Sequence, residues 1–228
     1  MNIQKLKSSK LFYNKWPYKV ECSIYGASRI VHIGIIAMRD WCEDNSSIED
    51  KFWKDSKRIN KGQLLKFINA VDPFVKNSEV QIRAEGAHFN LFCKDKELLS
   101  EINNKLATWI IKISGPTSLE EYNFLISNGH KKILCDRLPK DKFQYRIYFK
   151  SAWSADKRQL FLCWYKNFED RLQLSPTSMR WMENKRKWTY DPFMYVTDST
   201  TLSMVGLYLS GQVKKVEEFI PRNTVLTT

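Results

Sequence analysis

Within MRWMENKRKWTY, the cations Arg180, Lys185, Arg186 and Lys187 stand among the rings of Trp181, Trp188 and Tyr190. That mixture suits single-stranded nucleic acid. Cations neutralise phosphates, and flat rings accept unstacked bases at about 1–3 kcal/mol per stacked base. The same residue types recur near the N-terminus in Phe12, Tyr13, Lys15, Trp16, Tyr18 and Lys19. In an extended segment Phe12, Trp16 and Tyr18 face one way and Tyr13, Lys15 and Lys19 the other, because side chains alternate along a strand. We read the first set as packing and Lys15 and Lys19 as phosphate contacts.

Glu120, Glu121, Tyr122 and His130 are of the types needed for metal-binding carboxylates, a tyrosine nucleophile and a proton carrier. Their spacing is not diagnostic. Glu120 and Glu121 are also good first-turn helix residues, favoured beside the positive end of the helix dipole. The paired histidines of rolling-circle replication nucleases are absent, since His32, His88 and His130 are isolated along the chain. Nor is there a phosphate-binding P-loop, a GxGxxG turn, a GxSxG elbow or an HExxH helix. Cys22, Cys42, Cys93, Cys135 and Cys163 form no CxxC pair and have mostly apolar neighbours, which predicts buried thiols without a disulfide framework or zinc ribbon. The sequence implies no metal and no cofactor.

The 228 residues carry 37 Lys and Arg against 25 Asp and Glu, a formal charge of +12. The excess is spread evenly: 19 basic and 13 acidic residues lie up to Gly115, and 18 and 12 beyond it. An even excess predicts a broad electropositive surface rather than a basic tail. No stretch approaches the roughly 20 apolar residues that span a bilayer, and MNIQKLKSSK lacks the apolar core of a signal peptide. The expectation is a soluble protein inside the cell, in the cytoplasm, with no membrane partner.

These residues have to be positioned by an order of apolar segments that occurs twice: strand, helix, strand, strand, helix, strand, over 18–113 and again over 143–220. That is the split βαβ, or ferredoxin-like, order. In the first half, 18–25 reads as a strand, 29–38 as its hairpin partner and 40–60 as a polar insertion. Leu64, Leu65, Phe67, Ile68 and Val71 then recur at helical spacing behind a cap at Asn60, with a stop at Asp72-Pro73. VQIRAEGAHFNLFCKD alternates about a turn at Glu85-Gly86, a helix follows from Asp95, and TWIIKIS closes the sheet.

In the second half, FQYRIYF, LQLSPTSMRWM interrupted at Pro176, PFMYVTD and VKKVEEFIP read as strands. Helices are predicted over 156–170 and from a cap at Thr200 or Thr201 to Gly211. The resulting expectation is an α+β chain of two tandem ferredoxin-like modules with antiparallel sheets. They cover 1–115, with an insertion near 35–60, and 143–228, joined by a structured connector over 116–142 that holds a short amphipathic helix in SLEEYNFLISNGH and a short strand at KKILCD.

RAEGAHFNLF resembles the RNA-recognition-motif consensus at Gly86, Phe89 and Phe92, and departs from it at Glu85, Ala87 and Asn90. The resemblance implies Phe89 as a stacking residue. At KLFYNKWPYKVEC, RAEGAHFNLFCKD and VEEFIPR the chain resembles small proteins encoded by phages and other viruses, a likeness that implies a role in viral genome replication or handling without assigning site residues. Taken together, these readings predict a module binding single-stranded DNA or RNA. Lys15, Lys19, Arg180, Lys185, Arg186 and Lys187 would lie on phosphates, and Trp181, Trp188 and Phe89 on bases. A metal- or tyrosine-dependent nicking or RNA-processing nuclease using Glu120, Glu121, Tyr122 and His130 is the alternative. A self-associating structural or assembly protein is another.

Overall fold

The computed structural model describes residues 3–43, 59–129, 131–186 and 188–225. The chain divides into two compact units, Met1–Ile126 and Ser127–Thr228. The first contains β1 (Gln4–Lys7), β2 (Tyr18–Cys22), α1 (Ile30–Ile33), α2 (Ile35–Cys42), α3 (Lys61–Val75), β3 (Val80–Glu85), β4 (His88–Cys93), α4 (Lys96–Leu106) and β5 (Ile110–Gly115). Helix α5 (Leu119–Asn128) runs through the point of division. The second contains β6 (Lys132–Cys135), β7 (Tyr145–Phe149), α6 (Ala155–Tyr165), β8 (Leu172–Leu174), α7 (Pro176–Met182), β9 (Phe193–Val196), α8 (Ser199–Tyr208), β10 (Val213–Pro221) and α9 (Arg222–Val225).

Each unit holds a five-stranded sheet, in the orders β1-β5-β2-β4-β3 and β6-β10-β7-β9-β8. The expected all-antiparallel sheets are corrected to mixed ones. β1 pairs in parallel with β5, and β6 in parallel with β10, while the other pairs are antiparallel. β1 escaped the pattern because QKLK is exposed throughout and carries no buried face. β6, by contrast, is the short strand read at KKILCD, within the stretch expected to connect two modules.

One face of the first sheet packs on helices. Val20, Cys22, Phe89 and Leu91 meet Leu64, Phe67, Ile68 and Val71 of α3 and Ile102 and Leu106 of α4, all wholly buried. Each such aliphatic or aromatic side chain contributes about 1.5–3 kcal/mol relative to exposure. The caps read from the sequence close these helices: Asn60 accepts from the Gln63 amide at 3.0 Å and Asp95 from Leu98 at 2.7 Å. α3 continues past Pro73 to Val75 because Phe74 is drawn into the core. The strand expected over 29–38 is two short helices instead. Ile30, Ile35, Met38 and Trp41 reach the core at helical spacing, and Gly34, at φ 97°, breaks one helix from the next. Most of the polar insertion, residues 44–58, lies outside the described residues.

In the second unit Ile147, Phe149, Leu172, Leu174, Met194 and Val196 form the helix-facing side of the sheet, packed with Phe161, Leu162 and Tyr165 of α6 and Val205 of α8. α8 is capped by Asp198, whose carboxylate accepts from Thr201 N at 2.8 Å, rather than by either expected threonine. Hydrogen bonds from Thr197 and from Thr201 hold the Asp198 carboxyl down to about 2. The expected strand through Pro176 ends at Leu174. Ser175 then caps a helix at Ser178 N, with Pro176 in the first turn, where its missing N–H costs nothing.

Candidate nucleic-acid interface

Strand alternation places Arg146 and Tyr148 of β7 on the face opposite the helices, since Ile147 and Phe149 face the core. Register does the rest. Arg146 sits opposite Tyr195, and Tyr148 opposite Phe193, on β9; Glu217 and Lys215 of β10 stand opposite the same two residues from the other side. The ring pairs are in contact: Tyr148 to Phe193 at 5.7 Å, Phe193 to Tyr195 at 5.3 Å, and Tyr195 to Phe219 at 6.0 Å between centroids. Phe143, just before β7, extends the row, stacked 5.6 Å from Tyr195. Tyr148, Phe193 and Tyr195 are half-buried, so their rings are held by neighbours yet still reach solvent.

Arg146 is the centre of this face. Its guanidinium carbon lies 5.1 Å from the Tyr148 ring, 5.4 Å from Phe193 and 5.3 Å from Phe219. The Glu217 carboxylate, 1% exposed, receives Arg146 Nε at 2.9 Å and Lys215 Nζ at 2.6 Å. Burial alone would raise the Glu217 carboxyl, but the hydrogen bonds from Lys215 and Arg146 outweigh it and hold the group below the usual carboxylate range. Burial pushes the Tyr148 hydroxyl up to about 12, keeping it a neutral donor. The result is a row of rings around a guanidinium held by Glu217 on the neighbouring strand.

The residues singled out from sequence are dispersed. Trp181 faces inward from α7, 1% exposed and 5.9 Å from Trp153, so its ring belongs to the core and cannot receive a base. Phe89 is wholly buried on the helix side, edge-on to Phe67 at 5.2 Å, and is likewise closed to a base. Trp188, 65% exposed, meets Tyr190 at 4.9 Å in the loop before β9. Arg180, Lys185 and Arg186 are exposed, with Lys185 paired to Glu183 at 2.8 Å, and Lys187 lies outside the described residues. Lys15 is exposed over the Trp16 ring at 4.4 Å. Lys19 is half-buried and engaged by Glu85 at 2.5 Å and Glu21 at 3.5 Å.

No protein-family model and no curated protein matches this chain. What can be said of its chemistry therefore comes from the geometry.

The possible catalytic residues separate as well. Glu121 is buried and accepts from both the amide and the hydroxyl of Thr117, at 2.8 and 2.9 Å, at the start of α5. That is a capping role, as its place in the first turn suggested. Glu120 is exposed, its carboxyl lowered by a hydrogen bond from Ser118. Tyr122 stacks on Tyr18 at 6.2 Å and lines a cleft of about 380 Å³ with Tyr18, Asp95 and Glu97. Gly115 is needed here, because a Cβ at that position would fall 2.4 Å from the Tyr18 ring. His130 lies outside the described residues, and among those described no group of three His, Cys, Asp or Glu side chains could hold a metal ion.

Sequence reasoning read FQYRIYF and PFMYVTD as strands but did not single out the residues of this face. The signal was present as two spaced pairs, Arg146 with Tyr148 and Phe193 with Tyr195, each two residues apart and so on one side of a strand. Only the register shows that the two pairs are neighbours.

Proposed function

We propose that this chain binds single-stranded nucleic acid, DNA or RNA, on the face of β7, β9 and β10 turned away from α6 and α8. Bases stack on Tyr148, Phe193 and Tyr195, and Arg146 offers a further flat cationic surface among them. The observation that carries this reading is the continuous row of rings around a half-buried guanidinium held by a buried carboxylate, in a chain of formal charge +12. Rings spaced along adjacent strands suit bases splayed from a single strand, whereas paired bases of a duplex hide their faces. Exposed Arg180, Lys185 and Arg186, together with Lys187 and the ring of Trp188, supply phosphate and stacking contacts in the segment leading to β9.

We further read each unit as a ferredoxin-like sheet with one parallel strand added at its edge. Without β1 and β6, the orders β5-β2-β4-β3 and β10-β7-β9-β8 are those of a split βαβ motif. The setting we propose is genome replication or handling in a phage or virus, on the sequence resemblance alone.

Anisotropy titration of labelled single-stranded DNA, single-stranded RNA and duplex over a range of salt tests the binding. Single strands are expected to bind more tightly than duplex, with affinity falling as salt rises. Tyr148→Ala and Phe193→Ala should each weaken binding by about 1–3 kcal/mol. Binding that is absent, insensitive to salt or indifferent to both variants would overturn the reading. Strand cleavage abolished by Tyr122→Phe would replace it with a nuclease.

A further inference from the structure

The corresponding face of the first sheet is occupied by the chain's own residues. Gln81, Arg83 and Glu85 of β3, His88, Asn90 and Phe92 of β4, and Lys19 and Glu21 of β2 alternate with core residues and so lie opposite the helices. The connection between β1 and β2 folds onto them. Phe12 lies 5.8 Å from the Phe92 ring, and Tyr13 meets the same ring edge-on at 5.1 Å. Trp16 Nε1 donates to Gln81 at 2.7 Å, and the Tyr13 hydroxyl donates to Glu85 at 2.5 Å. The Arg83 guanidinium lies over the Tyr13 ring, 3.9 Å from its centroid.

Leu11 and Trp16 are buried and anchor this segment, whereas Tyr13 between them is 47% exposed. Tyr13 and Asn14 both adopt left-handed backbone, at φ 51° and 58°, a conformation uncommon outside glycine and costly where it must be held. Asn90, opposite Arg83 in the register, is wholly buried, with neither its amide nitrogen nor its amide oxygen hydrogen-bonded. A buried carboxamide offers one acceptor and two donors, the kinds of group that read the Watson–Crick edge of an unpaired base.

We propose that Tyr13 is a displaceable occupant of a second base-binding site in the first unit. When Tyr13 swings out, a base of a single strand takes its place between Arg83 and Phe92 and hydrogen-bonds Asn90. The occupant is an unpaired nucleobase because the site combines a cationic plane, an aromatic ring and an unmet carboxamide, and Tyr13 already holds a flat ring there. This inference rests on the strand-binding reading of the second unit, but it has a separate readout.

The test is photocrosslinking of a single strand carrying one photoreactive pyrimidine to the full chain, with crosslinked peptides mapped, alongside anisotropy on the same strand. Tyr13→Ala removes the occupant, and Glu85→Gln loosens its tether while keeping the ring. Both are expected to bring crosslinks into residues 82–93. Tyr13→Ala should tighten binding about tenfold, the size of one added stacked base, and adding Asn90→Leu should reverse the gain. If wild type and both variants crosslink only within 131–225, the site in the first unit is overturned and the face of the second stands. Crosslinks in 82–93 alone would support this site and remove the other. No crosslink and no binding in any of the three proteins would overturn both.

Discussion

The two units share a strand order and differ in what lies on the sheet face turned from the helices. In the first, Phe92 is wholly buried beneath Phe12 and Tyr13; in the second, Tyr148, Phe193 and Tyr195 stay half-buried around Arg146. The connection that enters the sheet accounts for the contrast. Residues 8–17 make a turn closed by Phe12 and Trp16 and tied down at Gln81 and Glu85, while 136–144 hold a short turn at Pro139–Asp141 and add only the Phe143 ring beside Tyr195. Strand order thus decides which residues become neighbours, and the entering loop decides whether a ligand can reach them.

The largest expected effect separates rings that build the second unit from rings that face outward. Trp181→Ala should cost about 3–5 kcal/mol of stability, because a wholly enclosed indole leaves a cavity that its surroundings only partly fill. Trp188→Ala, at a ring 65% exposed, should change stability by less than about 0.5 kcal/mol. Denaturant unfolding followed by circular dichroism measures both, and equal losses would erase the division between core and surface rings.

A somewhat smaller effect belongs to the buried carboxylate that organises the open face. Glu217→Ala leaves Arg146 and Lys215 without their shared acceptor and should destabilise the second unit by about 3 kcal/mol. The pH dependence follows from the lowered carboxyl. Its contribution is present above the unfolded-state value, near 4.3, and is lost as pH falls through the lower folded-state value. The variant should therefore lose stability less steeply than wild type below about pH 4. Parallel acid-unfolding curves would show that Glu217 does not hold Arg146 through its charge.

Much of this architecture was legible in the residues. Asn60 and Asp95 announced their helices because a short polar side chain before an apolar helical repeat has few better uses than capping, and apolar spacing pointed to a mixed α+β chain. β1 was not legible, since a four-residue exposed edge strand has no apolar period. Trp181 misled because MRWMENKRKW looks like a basic, aromatic surface until Ser175 and Pro176 start a helix that turns one indole inward. The open face was hidden for a different reason. Arg146, Phe193 and Glu217 are far apart in the chain, and only pairing of β7 with both β9 and β10 brings them together.

A smaller effect than either loss has the opposite sign and probes the covered face without any ligand. Asn90 lies between Glu21 and Arg83 in the register, wholly buried, and neither atom of its carboxamide is hydrogen-bonded. A buried polar group in that state costs about 1–3 kcal/mol, and replacing it with an apolar group of similar size removes the cost. Asn90→Leu is therefore expected to stabilise the first unit by about 1 kcal/mol, once local repacking is allowed for, measured as a rise in the denaturant midpoint at unchanged slope. On the base-site proposal, the unit would then be more stable and its face less able to bind, the exchange of stability for a site that such a proposal requires. Destabilisation by Asn90→Leu would mean that the amide is satisfied in solution, and the two faces would then differ only in their cover.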